Sequence, residues 1–295
     1  SIYNLNDQIS INAEANTLST LYLKEDGNVL TTLTNATSLN YTLTASSAGT
    51  HLLEFEVNDG TTTIIDSTYY TVNPVVNIVN PTITGLVNGV NYINDTTVIF
   101  QLYAPQKQHV YVIGGFNNWT PTAAYHMNLS TNNATWWLEV TGLTAGQKYG
   151  YQYFIDGTMK FADPLSSLIL DPNNDGNINA LTNPNPLPYP TGQTTGFVSV
   201  FQPGATPYDW QNTSFQGPAK KDLVIYELLV RDFVAKHNYQ TLIDTLAYLD
   251  NLGINAIELM PPGEFENNES WGYNPSFHKA LDKYYGTPEK FKEFV

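Results

Sequence analysis

The 295-residue sequence has no cysteine, so neither disulfide bonds nor thiol chemistry is available to this chain. Positive charge is also scarce, with 12 Lys and Arg against 27 Asp and Glu and a net charge of −15. This balance argues against nucleic acid, which requires a basic face, and against electrostatic binding to anionic lipid. No run of about 18 apolar residues is present, so the sequence predicts no transmembrane helix.

Metal-site histidine spacing and an N-terminal leader are also missing from the sequence. The five histidines are scattered without paired spacing, which predicts no histidine metal site. The chain does not open with a charged, apolar-cored leader, which we interpret as a signal peptide that is removed or omitted. The length favours about two to three domains.

The last part of the sequence, residues 222–295, alternates strand and helix patterns. Residues 222–233 and 254–260 are apolar, β-branched runs of strand type, and residues 241–252 carry apolar side chains at helical spacing. Thr287, followed by proline and an acid, is a helix start. This order predicts two parallel strands, joined by a right-handed crossover and buried on both faces.

Four motifs occur in register in this part, and each alone would be a weak signal. They are Val224-Ile-Tyr-Glu-Leu-Leu-Val-Arg-Asp-Phe233, Leu252-Gly-Ile-Asn-Ala-Ile-Glu-Leu-Met-Pro261, Trp271-Gly-Tyr-Asn-Pro275 and Tyr285-Gly-Thr-Pro-Glu289. Together they resemble the first two βα units of the α-amylase family, glycoside hydrolase family 13. Leu229 departs from the family pattern, which often has His there. The alternative is an unrelated α/β domain.

The resemblance implies the start of a (β/α)8 TIM barrel, which needs about 250 residues, whereas about 75 are present here. A retaining glycosidase needs two carboxylates about 5 Å apart across the bond that it cleaves. In the resembled family these acids lie on later strands, beyond Val295. We therefore expect this polypeptide by itself to be catalytically inactive.

The resemblance also implies a substrate contact in the loop after the second strand. Tyr273 matches the ring that stacks on the sugar in the family, and Trp271 either lines the same cleft or supports the loop. Arg231 and Asp232 are expected to brace the barrel. Nothing in the sequence pairs or buries the three acids of the loop, which are therefore expected to be solvated: Glu264, Glu266 and Glu269.

Two strands alone cannot close a barrel, so residues 222–295 should expose unpaired edges and apolar surface. We expect this surface to be covered by the remaining barrel as a separate chain, by a swapped copy in an oligomer, or by packing onto the preceding domain.

Residues 82–182 carry strands with aromatic alternation and the motif Gly114-Gly-Phe-Asn-Asn-Trp119. They resemble the early-set sandwich of carbohydrate-binding family 48. The resemblance implies a starch contact by two Trp rings and a Lys, and Trp119 matches the first ring. Met159 and Gln152 stand where the second ring and the cation are expected. This favours a β domain that packs on the barrel over a starch-binding module.

Residues 1–78 alternate apolar and polar side chains between turn signals, which predicts an immunoglobulin-like β-sandwich. A spacer role is favoured over glycan binding because this stretch has no Trp. The predicted fold class is thus a mainly β N-terminal half of two sandwiches, followed by the start of the barrel. Residues 183–221 are predicted to be a connector because Pro and Gly are dense there.

Residues 171–176, Asp-Pro-Asn-Asn-Asp-Gly, match the first half of a calcium-binding loop. Position 12 of that loop would be Thr182, which cannot supply a bidentate carboxylate. The sequence therefore favours a simple turn, and calcium stays an alternative; no other cofactor is predicted.

Three functions are compatible with the sequence. The first is the N-terminal portion of a secreted, or periplasmic or surface-bound, bacterial enzyme acting on α-glucans. The second is a non-catalytic surface glycan-binding protein built from amylase-type domains. The third is a structural cell-surface β protein, which the Trp271-Gly-Tyr-Asn-Pro275 motif disfavours.

Overall fold

The computed structural model describes residues 1–295. The first β unit is one five-stranded sheet in the order β1-β5-β4-β2-β3, antiparallel except for β1 against β5. Its strands are β1 Ile2–Tyr3, β2 Gln8–Glu25, β3 Asn28–Thr44, β4 Gly49–Asn58 and β5 Thr63–Val72.

This single sheet makes a sandwich by folding over on itself. The pairing of β2 with β3 is irregular between Glu14 and Ser19, about halfway along the hairpin. Leu39 pairs with Ala13 across the ladder, yet it is fully buried against Leu21, eight positions further along β2. Because eight residues of straight strand span about 26 Å, the hairpin must bend back over its own sheet. The predicted sandwich is present, although one curled sheet supplies both layers.

The second β unit has two sheets, in the orders β6-β7-β10-β9 and β12-β11-β14-β13, with β8 on the other side of β11. Its strands are β6 Gly89–Asn94, β7 Thr97–Tyr103, β8 Val110–Gly114, β9 Asn128–Leu129, β10 Thr135–Val140, β11 Tyr149–Ile155, β12 Met159–Phe161, β13 Ile169–Leu170 and β14 Val198–Phe201.

The strand β11 is the centre of this unit, because all seven of its residues are buried. Alternate side chains point to opposite faces of a strand. Tyr151 and Tyr153 enter the main core between the sheets, whereas Phe154 enters a smaller core on the other face. The hydroxyls of both tyrosines donate to the buried Asp163, at 2.8 and 3.0 Å.

The predicted connector, 183–221, needs a correction. Its residues 198–201 are the buried strand β14, which pairs with β11 and β13 and therefore belongs to the second β unit. The short run Val198-Ser-Val-Phe201 is apolar enough to be a strand, but the surrounding Pro and Gly residues concealed it.

Residues 222–295, here called the βα segment, contain β15 Ile225–Leu228, α1 Val230–Phe233, α2 Tyr239–Asn251, β16 Ala256–Leu259, β17 Gly263–Phe265, β18 Pro275–Leu281 and α3 Pro288–Phe294. β15 and β16 pair in parallel, as predicted. The first strand is shorter than predicted because a helical turn starts after Leu229, whose carbonyl accepts from the Phe233 amide at 3.0 Å.

The helix starts follow the local sequence. The Asn238 side chain accepts from the Thr241 amide at the start of α2, and Thr287 accepts from the Lys290 amide at the start of α3. The prediction that both strands are buried on both faces is wrong in this structure. β15 and β16 form a two-stranded sheet, so Ile225 is 53% exposed.

The βα segment packs against the second β unit. Phe277 of β18 meets Phe197 edge-on with ring centroids 5.3 Å apart, and Asn238 donates to the Thr182 hydroxyl at 3.3 Å. The longest helix has 13 residues, and no helix has both the length and the hydropathy that crossing a bilayer requires.

Candidate functional site

An open aromatic loop follows β16 at its C-terminal end. It is defined here as the platform loop, residues 266–274, and it joins the antiparallel strands β17 and β18. Trp271 and Tyr273 are 62% and 66% exposed, so both predicted contact rings are presented to solvent. Open rings at the C-terminal end of a barrel-type strand lie where substrates of such folds bind.

The backbone between these two rings is tightly constrained. Gly272 has φ +88°, and an added Cβ would lie 2.0 Å from the carbonyl oxygen of Pro261. The Gly272 amide donates to the Ser270 hydroxyl at 2.9 Å, and that hydroxyl also bonds the Asn274 side chain. The local fold therefore fixes the spacing of the two rings.

One of the three loop acids is not solvated, and this corrects the prediction for Glu264. It lies in β17, is 4% exposed, and its Oε1 is 2.5 Å from the Lys283 Nζ. The other oxygen, Oε2, has no hydrogen-bond partner. Glu266 and Glu269 are both exposed, as predicted. Sequence could not reveal the pairing because Lys283 is 19 residues away.

Burial raises the pKa of Glu264 to about 8, and the ammonium of Lys283 opposes this shift only in part. Burial also raises the pKa of Asp282 to about 6, although its carboxylate accepts the amides of Tyr284 and Phe265. Two buried carboxyl groups therefore bind protons more tightly in the folded chain than in the unfolded one.

We expect the free energy of unfolding to fall by about 1 kcal/mol between pH 7 and pH 9, because of Glu264. The unfolded side chain has lost its proton well below pH 7, whereas the folded one loses it near pH 8. Urea unfolding at both pH values measures the difference, and Glu264→Gln should remove it. A wild-type stability that stays level or rises over this interval would contradict the assignment.

Trp119 is not an open ring, and this corrects its assignment as a sugar contact. It is 8% exposed and packs in the smaller core of the second β unit. Its six-membered ring lies 3.3–3.4 Å from the place where a Cβ on Gly150 would be. The ring therefore fills the space above a glycine in β11 and has no free face for stacking.

Gln152 and Met159, the residues at the expected cation and second ring, have structural roles. Gln152 is fully buried in β11, and its amide donates to the carbonyls of Thr195 and Phe197 at 2.9 and 2.7 Å. Met159 packs against the main core. The glucan contact that the resemblance implies is thus not assembled by these residues, in line with the favoured packing role.

The residues 171–176 form a self-contained turn. Asp171 Oδ1 accepts from the Asn173 amide at 2.8 Å, and Asp175 Oδ2 accepts from the Asp171 amide at 2.9 Å. The Lys283 ammonium lies 3.2 Å from Asp175 Oδ1, and a cation is repelled by such a charge. These residues do not fit a calcium ion.

Arg231 and Asp232 pair with each other at 2.7 Å. The carboxylate of Asp232 is mostly exposed, and the expected role of the two residues in bracing the barrel stays a prediction.

A cleft of about 740 Å³ lies elsewhere, between the second β unit and the βα segment. Its lining includes Lys148, Lys279 and Lys292, but no residue of the platform loop. The open rings therefore match the predicted sugar contact better than this cleft does.

Comparison with known proteins agrees with the fold. Residues 88–174 match the family model "Carbohydrate-binding module 48 (Isoamylase N-terminal domain)". The chain is 31% identical over 145 residues to a malto-oligosyltrehalose trehalohydrolase of Saccharolobus solfataricus, covering 49% of this chain and 22% of the relative. It is 28% identical over 212 residues to a 1,4-alpha-glucan branching enzyme of Nitrosomonas europaea, covering 66% and 26%.

A crystal structure from Salmonella typhimurium, provisionally assigned as an α-amylase, superimposes with a TM-score of 0.54 at 27% identity. The match covers 70% of this chain and 30% of that one. The chain thus spans about a quarter of the length of its curated relatives. The motifs, the sandwich and these relatives agree: the chain resembles the N-terminal portion of α-amylase-family proteins, glycoside hydrolase family 13, and contains a match to carbohydrate-binding module 48.

Proposed function

We propose that this chain is the N-terminal portion of a secreted α-glucan-active enzyme that cleaves or transfers glycosidic bonds with retention of configuration. Within that enzyme, the βα segment opens the catalytic barrel and the platform loop binds a glucosyl unit. The relatives support the α-glucan class, since one is a trehalohydrolase of malto-oligosyltrehalose and another a branching enzyme of 1,4-alpha-glucan. Composition alone supports a location outside the cytoplasm.

One observation carries the proposal: Trp271 and Tyr273 are both exposed on a loop whose backbone is rigid between them. Sugar rings present apolar C–H faces, and burying exposed aromatic rings against such faces is favourable. The neighbouring acid that could have served in catalysis, Glu264, is buried and paired with Lys283. The platform loop is therefore suited to binding and not to bond cleavage.

We expect residues 1–295 to bind maltotetraose without releasing reducing sugar from starch. Trp271→Ala and Tyr273→Ala should each weaken binding by about 1–3 kcal/mol, by analogy with base stacking on aromatic rings. Calorimetric titration measures the affinity. Trp210→Ala is the matched control, because this ring is 47% exposed but lies outside the loop.

Absence of maltotetraose binding, or an equal loss of affinity in Trp210→Ala, would refute the role of the platform loop as a sugar-binding site. Release of reducing sugar by the pure chain would contradict the expectation that it is catalytically inactive. A glycan-binding protein without catalysis would show the same binding. The full-length protein separates the two functions. If it cleaves or transfers glycosidic bonds, the chain is part of an enzyme; if it binds glucan without any reaction, the chain is part of a glycan-binding protein.

A further inference from the structure

The turn at residues 171–176 contacts the βα segment. The main-chain carbonyl of Asn174, inside this turn, accepts from the Asn268 side chain at 3.0 Å. Asn268 belongs to the platform loop. A side chain of the loop that carries the two exposed rings is thus tied to the carbohydrate-binding module, 94 positions earlier in the chain.

A second tie runs through Lys283, which follows β18 and is 4% exposed. Its ammonium lies between two acidic side chains from different units: Glu264 of β17 at 2.5 Å and Asp175 of the turn at 3.2 Å. Glu264 stands just before the platform loop. The ammonium therefore connects β17 and the end of β18, the two strands that flank the platform loop, to the carbohydrate-binding module.

The groups around this ammonium extend to the backbone of the loop. Asp282, next to Lys283, accepts the amide of Phe265 at 3.1 Å, and Phe265 is the last residue before the loop. The charged groups that face Lys283 are Glu264, Asp282 and Asp175. Because all three are acids, Lys283 is the only cation in the group and the partner that they share.

We propose that the turn at residues 171–176 and Lys283 form an interdomain clamp that fixes the platform loop, which makes Lys283 and Asp175 positioning residues for glucan binding. The carbohydrate-binding module thereby acts on the sugar site through a polar contact and not through rings of its own. The link to sugar rests on the proposed function of the platform loop, whereas the clamp itself rests only on the contacts above.

Asp175→Asn tests the clamp with little risk to folding, because the side chain is 23% exposed and the amide keeps its shape. We expect amide hydrogen exchange at Glu266 and Gly272 to become about five- to tenfold faster, as loss of a partly exposed ion pair of about 1 kcal/mol implies. Exchange within β11 should not change. Lys283→Met should have a larger effect on the same amides.

Lys290→Met is the matched control, since Lys290 pairs with Glu293 on the surface of α3 at 2.6 Å and touches no part of the clamp. Unchanged loop exchange in Asp175→Asn, or the same acceleration in Lys290→Met, would overturn the clamp. If Lys283→Met does not fold, Asp175→Asn decides alone.

The maltotetraose affinity of each variant is measured separately. If the wild type binds no sugar, the proposed function fails, and the exchange data still decide whether the clamp exists. If the wild type binds sugar, Asp175→Asn should weaken binding by about two- to fivefold, because a looser loop must be ordered on binding. An affinity that is unchanged while the loop loosens would refute the positioning role.

Discussion

Trp119→Ala is expected to destabilise the second β unit by about 3–5 kcal/mol, the range for removing a large buried aromatic side chain. The ring is buried against β11 and touches the smaller core, so its loss leaves a cavity that rigid strands cannot close. Thermal and urea unfolding measure the effect.

The same variant separates a core residue from a sugar contact. Below its melting temperature, Trp119→Ala should keep the maltotetraose affinity of the wild type, because the ring has no open face. Trp210→Ala, at an exposed ring, should change stability by less than about 1 kcal/mol. Loss of affinity in Trp119→Ala at unchanged stability would restore this ring as a sugar contact.

Gly272→Ala is the second large effect, with an expected loss of about 2–4 kcal/mol and of most sugar binding. The new methyl group would overlap the Pro261 carbonyl oxygen, 2.0 Å away, and φ of +88° disfavours any side chain. The loop must move to relieve both, and the spacing of Trp271 and Tyr273 then changes. Unfolding and calorimetric titration test the two parts.

Gly115→Ala is the control for a glycine in a tight turn, because nothing lies within 4 Å of its added Cβ. It should unfold like the wild type and bind equally well. A Gly272→Ala variant that matches it in both measurements would show that the loop backbone is freer than these contacts imply.

Several features of this protein followed from the sequence alone, since local chemistry decides them. The start of α3 needs only Thr287, which caps it, and a proline at its first position. The parallel pairing of β15 with β16 follows from the strand and helix patterns between Ile225 and Leu259. The exposed rings at Trp271 and Tyr273 were marked by a motif in one loop.

Other features depended on residues far apart in the chain, and only the tertiary structure decided them. The sequence predicted Glu264 to be a solvated loop acid, but the fold buries it beside Lys283, which also contacts Asp175. The sequence predicted residues 198–201 to be part of a connector, but β11 and β13 pair with them as β14. Trp119 belongs to a motif that resembles a sugar-binding one, but its ring packs inside the core because Gly150 has no side chain. Periodicity and motifs report on local backbone and residue type, whereas burial and ion pairing depend on which distant segments meet.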